Sequence, residues 1–249
     1  MQILKYSANG NDFVIFHSFI KRDRSQLAIK LCDRHNGIGA DGLIVLIPHP
    51  TLDFEWEFYN SDGSIASMCG NGSRACASYA FSQGLAPAKM RFLTGAGEIG
   101  AIVEKNMIET ELTKPIIYSN TIEEFNKTWW LIDTGVPHLI ALVDNIEEFN
   151  IEQARELRYK HNANVNIAKI DNDNIHVRTY ERGVENETQA CGTGMASAFY
   201  RAYKENKIKN SCKVYPKSGD TLYLSHNGET ILFKGEVKKT FETFQDIVY

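Results

Sequence analysis

The sequence predicts an α+β fold of two pseudo-symmetric lobes, each a β-barrel-like sheet wrapped around one central helix, with the active site in the cleft between them. Three observations predict it. Short strand-like runs dominate both halves of the 249-residue chain. Each half also holds one stretch of small and apolar residues that is hydrophobic nearly all round a helix, and such a helix has to be enclosed. Finally, each of these stretches follows a Cys-Gly-x-Gly motif: Met68-Cys69-Gly70-Asn71-Gly72 in the first half and Ala190-Cys191-Gly192-Thr193-Gly194 in the second.

In the first half, residues 13–16 read as a strand, 25–33 as a helix, and 43–47 and 54–59 as strands. The helix behind the first cysteine carries Ala75, Cys76, Ala77, Tyr79, Ala80 and Phe81. Strands follow at 89–93, 97–104 and 107–112, the last two joined at Lys105-Asn106. The second half repeats this order. Residues 129–133 and 139–143 read as strands, 151–158 as a helix, and 165–170 with 175–180 as a hairpin closed by 171–174. The second cysteine helix carries Met195, Ala196, Ala198, Phe199, Tyr200 and Ala202, and strands at 221–224 and 231–234 turn at Asn227-Gly228. The expected lobes are 1–114 and 115–237, with a boundary at 115–127, and the aromatic, β-prone tail at 238–249 crosses back to complete the first lobe.

Hydrophobic residues make up 43% and charged residues 23% of the chain, near globular averages. Lys and Arg total 27 against 31 acids, a net charge of −4 with no basic block, which argues against a nucleic-acid partner and for a small-molecule substrate. Residues 1–6 lack a signal-peptide core, and no apolar run approaches the ~20 residues that span a bilayer, so no membrane association and a cytoplasmic location are expected. The cysteines number five, too few and too irregular for a disulfide framework. Cys-x-x-Cys is absent and the cysteine spacings fit no zinc pattern, so no metal is expected.

A cysteine at a helix N-terminus is biased toward thiolate, and glycines beside it expose backbone N–H groups that can hold a carboxylate. Two such thiols, one per lobe, would form an acid/base pair able to remove a proton from one face of a carbon and return one to the other. Taken singly, Asn71-Gly72 is equally a turn and each cysteine equally a small buried hydrophobe. Recurrence in both halves favours function. Cys76 lies two helical turns past Cys69 and reads as packing, while Cys32 and Cys212 carry no signal.

The surrounding residues resemble a known family. Asn9-Gly10-Asn11-Asp12-Phe13, Gly37-Ile38-Gly39-Ala40-Asp41-Gly42, Asn60-Ser61-Asp62-Gly63-Ser64 leading into Cys69, and Tyr180-Glu181-Arg182-Gly183 leading through Glu187-Thr188-Gln189 into Cys191 are similar to the ordered motifs of diaminopimelate epimerase. That family interconverts LL- and meso-diaminopimelate on the route to lysine and peptidoglycan, with no cofactor. The resemblance implies that Cys69 and Cys191 are the acid/base residues, and that amides at Gly70-Asn71 and Gly192-Thr193 bind the reacting α-carboxylate. It further implies that Asn11, Asn60, Asn166 and the pair Glu181-Arg182 contact substrate, that His138 and Glu181 tune a catalytic thiol, and that the protein is a homodimer. Arg182 also stands on its own chemistry, since a guanidinium fork suits a distal carboxylate. Without the resemblance, His138, Asn11 and Asn60 would read as structural.

Three departures bear on substrate contacts. Val136 replaces an asparagine common in the family, Gly42 stands where some members have glutamine, and Glu185-Asn186 makes the loop before Cys191 one residue longer. The alternative within enzymes is a proline or hydroxyproline racemase, which also pairs two Cys-Gly-x-Gly motifs. Outside them stand a thiol-redox or metal-binding protein and a non-catalytic amino-acid binder.

Overall fold

In the computed structural model, which describes residues 1–245, the chain forms two compact units: Met1–Thr110 with the segment from Gly235 onward, and Glu111–Lys234. The first unit opens with β1 (Gln2–Ala8) and β2 (Asn11–His17), an antiparallel pair turned at Asn9 and Gly10. Both turn residues have positive φ, 54° and 82°, the conformation that Asn-Gly adopts in a tight hairpin. Helix α1 (Ser25–Cys32) then carries the chain across to β3 (Gly42–Ile47), parallel to β2. β4 (Phe54–Asn60) runs antiparallel to β3, and helix α2 (Gly70–Ser82) crosses to β5 (Lys89–Thr94), parallel to β4. β6 (Gly97–Glu104) and β7 (Met107–Glu111) close the series as an antiparallel meander.

Of the α2 residues expected to be enclosed only Phe81 is left exposed, and β3 packs against both helices of the unit. All six of its residues are buried, because its two faces serve two helices. Leu43 and Val45 pack with Ala28 and Leu31 of α1, whereas Ile44 and Leu46 pack with Ala75, Cys76 and Ala80 of α2. Burial also pushes the Cys76 thiol well above its ordinary range, consistent with a packing residue.

The second unit repeats this order of connections. β9 (Lys127–Asp133) and β10 (Pro137–Leu142) are antiparallel, α3 (Ile151–His161) crosses to β11 (Asn164–Asp171) parallel to β10, and β12 (Asn174–Glu181) returns antiparallel. Helix α4 (Gly192–Lys204) then crosses to β14 (Ser211–Tyr215) parallel to β12, and β15 (Leu222–His226) and β16 (Ile231–Glu236) form the meander. The α+β class and the repeated order of elements are therefore as expected.

Several strands lie where the sequence reading placed none. Most of 115–127 is β8 (Ile116–Glu124), an edge strand on β9 whose side chains are all exposed or half-buried. β1, β14 and the short β13 (Asn186–Thr188), paired with β12, were also not singled out. From the tail, β17 (Lys238–Phe244) pairs antiparallel with β1, and residues 246–249 lie outside the described chain.

Ala80 is fully enclosed. Ala80→Leu should overpack α2 and lower unfolding free energy by about 1–3 kcal/mol, read as an earlier urea midpoint at unchanged m-value.

Candidate active site

Each unit holds one cysteine at the N-cap of its enclosed helix, in extended backbone conformation. The first N–H groups of a helix have no partner within it, so both caps present donors to whatever lies ahead.

In the first unit the Cys69 Sγ accepts the Gly72 N–H at 3.4 Å and lies 3.7 Å from Asn11 Oδ1. The Asn11 amide is oriented from behind, its Nδ2 donating to Asp41 Oδ2 at 2.7 Å. Arg34 holds Asp41 at 2.8 Å and Asp12 at 2.9 Å. With Nδ2 committed to a carboxylate, Oδ1 is left facing the sulfur, where it also receives Asn71 Nδ2 at 3.5 Å. Asn71 is turned the same way by Arg74, which is fully buried and donates to Asn71 Oδ1 and, at 2.8 Å, to Asn9 Oδ1. Asn60, exposed at the end of β4, donates to Ser64 Oγ at 2.9 Å and sits opposite Gly42 in the β3–β4 ladder. A Cβ on Gly42 would stand 2.7 Å from the Phe58 ring and 2.8 Å from the Tyr59 carbonyl. Glycine is therefore demanded here by packing.

In the second unit the Cys191 Sγ lies 3.6 Å from Thr193 Oγ1, which lies 2.8 Å from His138 Nε2. The imidazole is fully buried, and burial, helped by the charge of Arg182, pulls its pKa down to about 3. It is neutral at neutral pH. Asn166 Nδ2 faces His138 Nδ1 at 3.0 Å and the Leu139 carbonyl at 3.1 Å, while its Oδ1 accepts from Thr179 at 2.8 Å. Gly194 lets the first turn of α4 settle on this cluster, since a Cβ there would come within 2.4 Å of Asn166 Oδ1. Thr134 fixes the same turn, donating to the Thr193 carbonyl at 2.8 Å.

The Asn166 amide nitrogen lies against two groups of its own unit, His138 Nδ1 and the Leu139 carbonyl. Asn164, two residues earlier on the same face of β11, was not singled out, although period-two spacing could have flagged it. Its Oδ1 accepts the Arg182 N–H at 2.7 Å, and its Nδ2 lies 3.3 Å from His138 Nε2.

Arg182 Nη1 donates to the Asn162 carbonyl at 3.0 Å and lies 3.3 Å from Asn162 Oδ1, with no ion pair to a described carboxylate. Burial pushes the adjacent Glu181 carboxyl up. The loop leading to Cys191 is pinned at Glu187, which binds Arg178 and Lys217, each at 2.6 Å. Glu185, at positive φ in the lengthened part of this loop, is held by Arg158 at 2.7 Å. Among the described residues no three His, Cys, Asp or Glu side chains form a group that could hold a metal ion.

The fold belongs to a class that contains amino-acid epimerases. A hydroxyproline epimerase from Agrobacterium vitis matches with a TM-score of 0.68 at 13% identity, over 98% of this chain and 90% of that one. A PhzF-family phenazine biosynthesis protein from Bacillus anthracis matches at 0.73 and 17%, over 100% and 99%. Sequence narrows the class. The diaminopimelate epimerase family model matches residues 3–116 and 130–240. The diaminopimelate epimerase of a Nitratiruptor species is 59% identical across 100% of both chains, and that of Helicobacter pylori is 44% identical over 96% of this chain and 94% of its own. The chain belongs to the diaminopimelate epimerase family.

A histidine held neutral in the fold but free to protonate once unfolded makes stability depend on pH. Because its folded pKa lies near 3 and its unfolded value near 6.5, this contribution is fully present above pH 6.5 and is lost as pH falls toward 3. Urea titrations between pH 7 and 4 should show His138→Gln losing about 1.4 kcal/mol less per pH unit than wild type below pH 6.

Proposed function

We propose that this chain interconverts LL- and meso-diaminopimelate by a two-base reaction in which Cys69 and Cys191 are the acid/base pair. The observation that carries the reading is the repeated cysteine N-cap, present on equivalent helices of the two units in a member of this family. One sulfur, as thiolate, takes the α-hydrogen as a proton. The other, as thiol, delivers a proton to the opposite face, and the configuration inverts.

The carbanion formed beside a carboxylate has no electron sink, so preorganised dipoles and exclusion of water have to stabilise it. Amides at Gly70-Asn71 and Gly192-Thr193, in the first turns of α2 and α4, suit the α-carboxylate. Arg182, with no described carboxylate of its own, suits the distal one. We assign Asn11, Asn60, Asn71, Asn166 and Glu181 to the substrate's remaining polar groups, and tuning of the thiols to His138 and Glu181. The enzyme is assigned to lysine and peptidoglycan precursor biosynthesis in the cytoplasm, working as a homodimer without a cofactor. No helix of the described chain is long and apolar enough to cross a membrane.

Incubation in deuterated water should exchange the α-hydrogen of diaminopimelate and leave that of proline untouched. Absence of exchange on diaminopimelate would sink the reading. Cys69→Ala and Cys191→Ala should each lower epimerisation by at least about 10²-fold with an unchanged circular-dichroism spectrum. Arg182→Met should raise KM for diaminopimelate by about 10- to 100-fold, the loss expected for a charge-assisted hydrogen bond.

A further inference from the structure

The segment Gly37-Ile38-Gly39-Ala40-Asp41-Gly42 stands outside the contacts assigned to substrate, yet it is built to one geometry. It folds back onto the end of α1. The Ile38 and Gly39 N–H groups both donate to the Leu31 carbonyl, at 2.9 and 3.0 Å, and the Ala40 N–H donates to the Cys32 carbonyl at 3.1 Å. Carbonyls at the end of α1, which have no partner within the helix, are satisfied in this way. A Cβ on Gly37 would strike the Lys30 and Leu31 carbonyls, and Gly39 has a φ of 78°, so both glycines are required by this seat. Seated there, the turn delivers Asp41 to the start of β2.

At that start Asp41 and Asp12 clasp each other. The Asp41 N–H donates to the Asp12 carbonyl at 3.0 Å and to Asp12 Oδ1 at 2.9 Å, and the Asp12 N–H donates to Asp41 Oδ2 at 3.1 Å. Arg34 spans both carboxylates, while Lys5 holds Asp12 at 2.9 Å and donates to the Gly39 carbonyl. Partial burial pushes the Asp12 carboxyl up, but Arg34 and Lys5 outweigh it and hold that group below its usual range. From the other side the Ser61 N–H donates to the Asp41 carbonyl at 3.0 Å. The turn is thus fixed without its one remaining bond, from Asn11 Nδ2 to Asp41 Oδ2 at 2.7 Å.

That bond sets a direction. A carboxylate only accepts, so the Asn11 atom that meets it has to be the amide nitrogen. At the other end of the amide, Oδ1 receives Asn71 Nδ2 at 3.5 Å, and Asn71 presents its nitrogen because Arg74, which only donates, occupies its Oδ1. Two amides therefore lie in series between an acceptor-only carboxylate and a donor-only guanidinium. Neither can turn over alone without setting like groups face to face. The ion pair of Arg34 with Asp41 is exposed and contributes little by itself, so the direction comes from the carboxylate. Asn11 Nδ2 carries two hydrogens; one is used, and among the described residues the other has no partner. A reversed amide would have a carbonyl oxygen in its place.

We propose that Asp41 is a positioning residue for substrate recognition: its carboxylate fixes the direction of the Asn11 amide, so that Asn11 offers substrate an N–H and not a carbonyl oxygen. The inference rests on the reading of Asn11 as a substrate contact. It gives the glycine turn at 37–42 a purpose, which is to hold one acceptor against one amide.

The test is a cycle of wild type, Asp41→Asn, Asn11→Ala and the double variant, followed by the kinetics of diaminopimelate epimerisation. Asparagine keeps the shape of Asp41 but donates as well as accepts, so the direction of Asn11 is no longer imposed. Asp41→Asn should raise KM by about 3- to 10-fold, the worth of one hydrogen bond, with kcat changed less than about twofold. In the Asn11→Ala background the same substitution should change KM by less than about twofold, because the group it positions is gone. An equal rise in both backgrounds, as a purely structural clasp would give, overturns the inference, and so does no rise in either. The Asn11 side-chain NH2 signals, assigned in proton–nitrogen correlation spectra by their loss in Asn11→Ala, supply a readout that needs no turnover. With one hydrogen bound to a carboxylate, the two should lie further apart in chemical shift in wild type than in Asp41→Asn. An unchanged separation overturns the inference. The expected narrowing in a protein that does not epimerise diaminopimelate upholds the positioning of Asn11 and sinks the assignment of substrate.

Discussion

Everything at the candidate site depends on how closely the first turns of α2 and α4 approach the strands beneath them. A helix offers its unpartnered N–H groups only at its beginning, so a site built on them needs that beginning placed to a few tenths of an ångström. In the second unit the backbone of Gly194 lies so near Asn166, Thr179 and His138 that no side chain fits. In the first the fit is looser, a Cβ on Gly72 standing 3.3 Å from Ile44 and from the Cys69 side chain. The remainder of each helix is enclosed by sheet, which leaves its axis little freedom to shift. The apolar character of these helices and the placement of their caps are thus one constraint.

Around that shared frame the two units diverge in their polar groups. The first places a solvent-exposed ion pair, Arg34 and Asp41, behind Asn11. The second places a neutral network of His138, Asn166, Thr179 and Thr193. Polar networks with little water have to be closely satisfied, and a single donor or acceptor then dictates the orientation of every amide and hydroxyl after it. Duplicated topology therefore supplies two equivalent positions for a cysteine cap, while the side chains around each differ.

The loop that delivers Cys191 is held chiefly by electrostatics. Glu187 is nearly inaccessible and is bound from two sides by Arg178 and Lys217, so it anchors the loop far better than an exposed pair would. The extra length at Glu185-Asn186 is absorbed by a left-handed residue tied to α3 through Arg158. Arg182 lies between these anchors, with its backbone on Asn164 and its guanidinium on Asn162. The lengthened loop is accommodated next to the arginine assigned to substrate.

The sequence by itself determined what short-range rules govern. The two small-residue helices, the cysteine caps, the Asn227-Gly228 turn and much of the order of strands and helices in both halves follow from periodicity and from residues a few positions apart. It was equally clear that Arg182 carries a fork suited to a carboxylate. Only the tertiary structure decided what depends on partners distant in the chain. β8 was hidden because an edge strand with few buried side chains lacks an apolar signature. Asn164 and Asn166 share a face and a residue type, and only the neighbours brought by β10 and β12 reveal that they meet opposite nitrogens of His138. Gly42 was noted as a lost amide, yet it is required by the ring of Phe58 across the ladder. Hydrogen-bond direction around each cysteine cap lay furthest from view, because it belongs to a folded network and not to any residue within it.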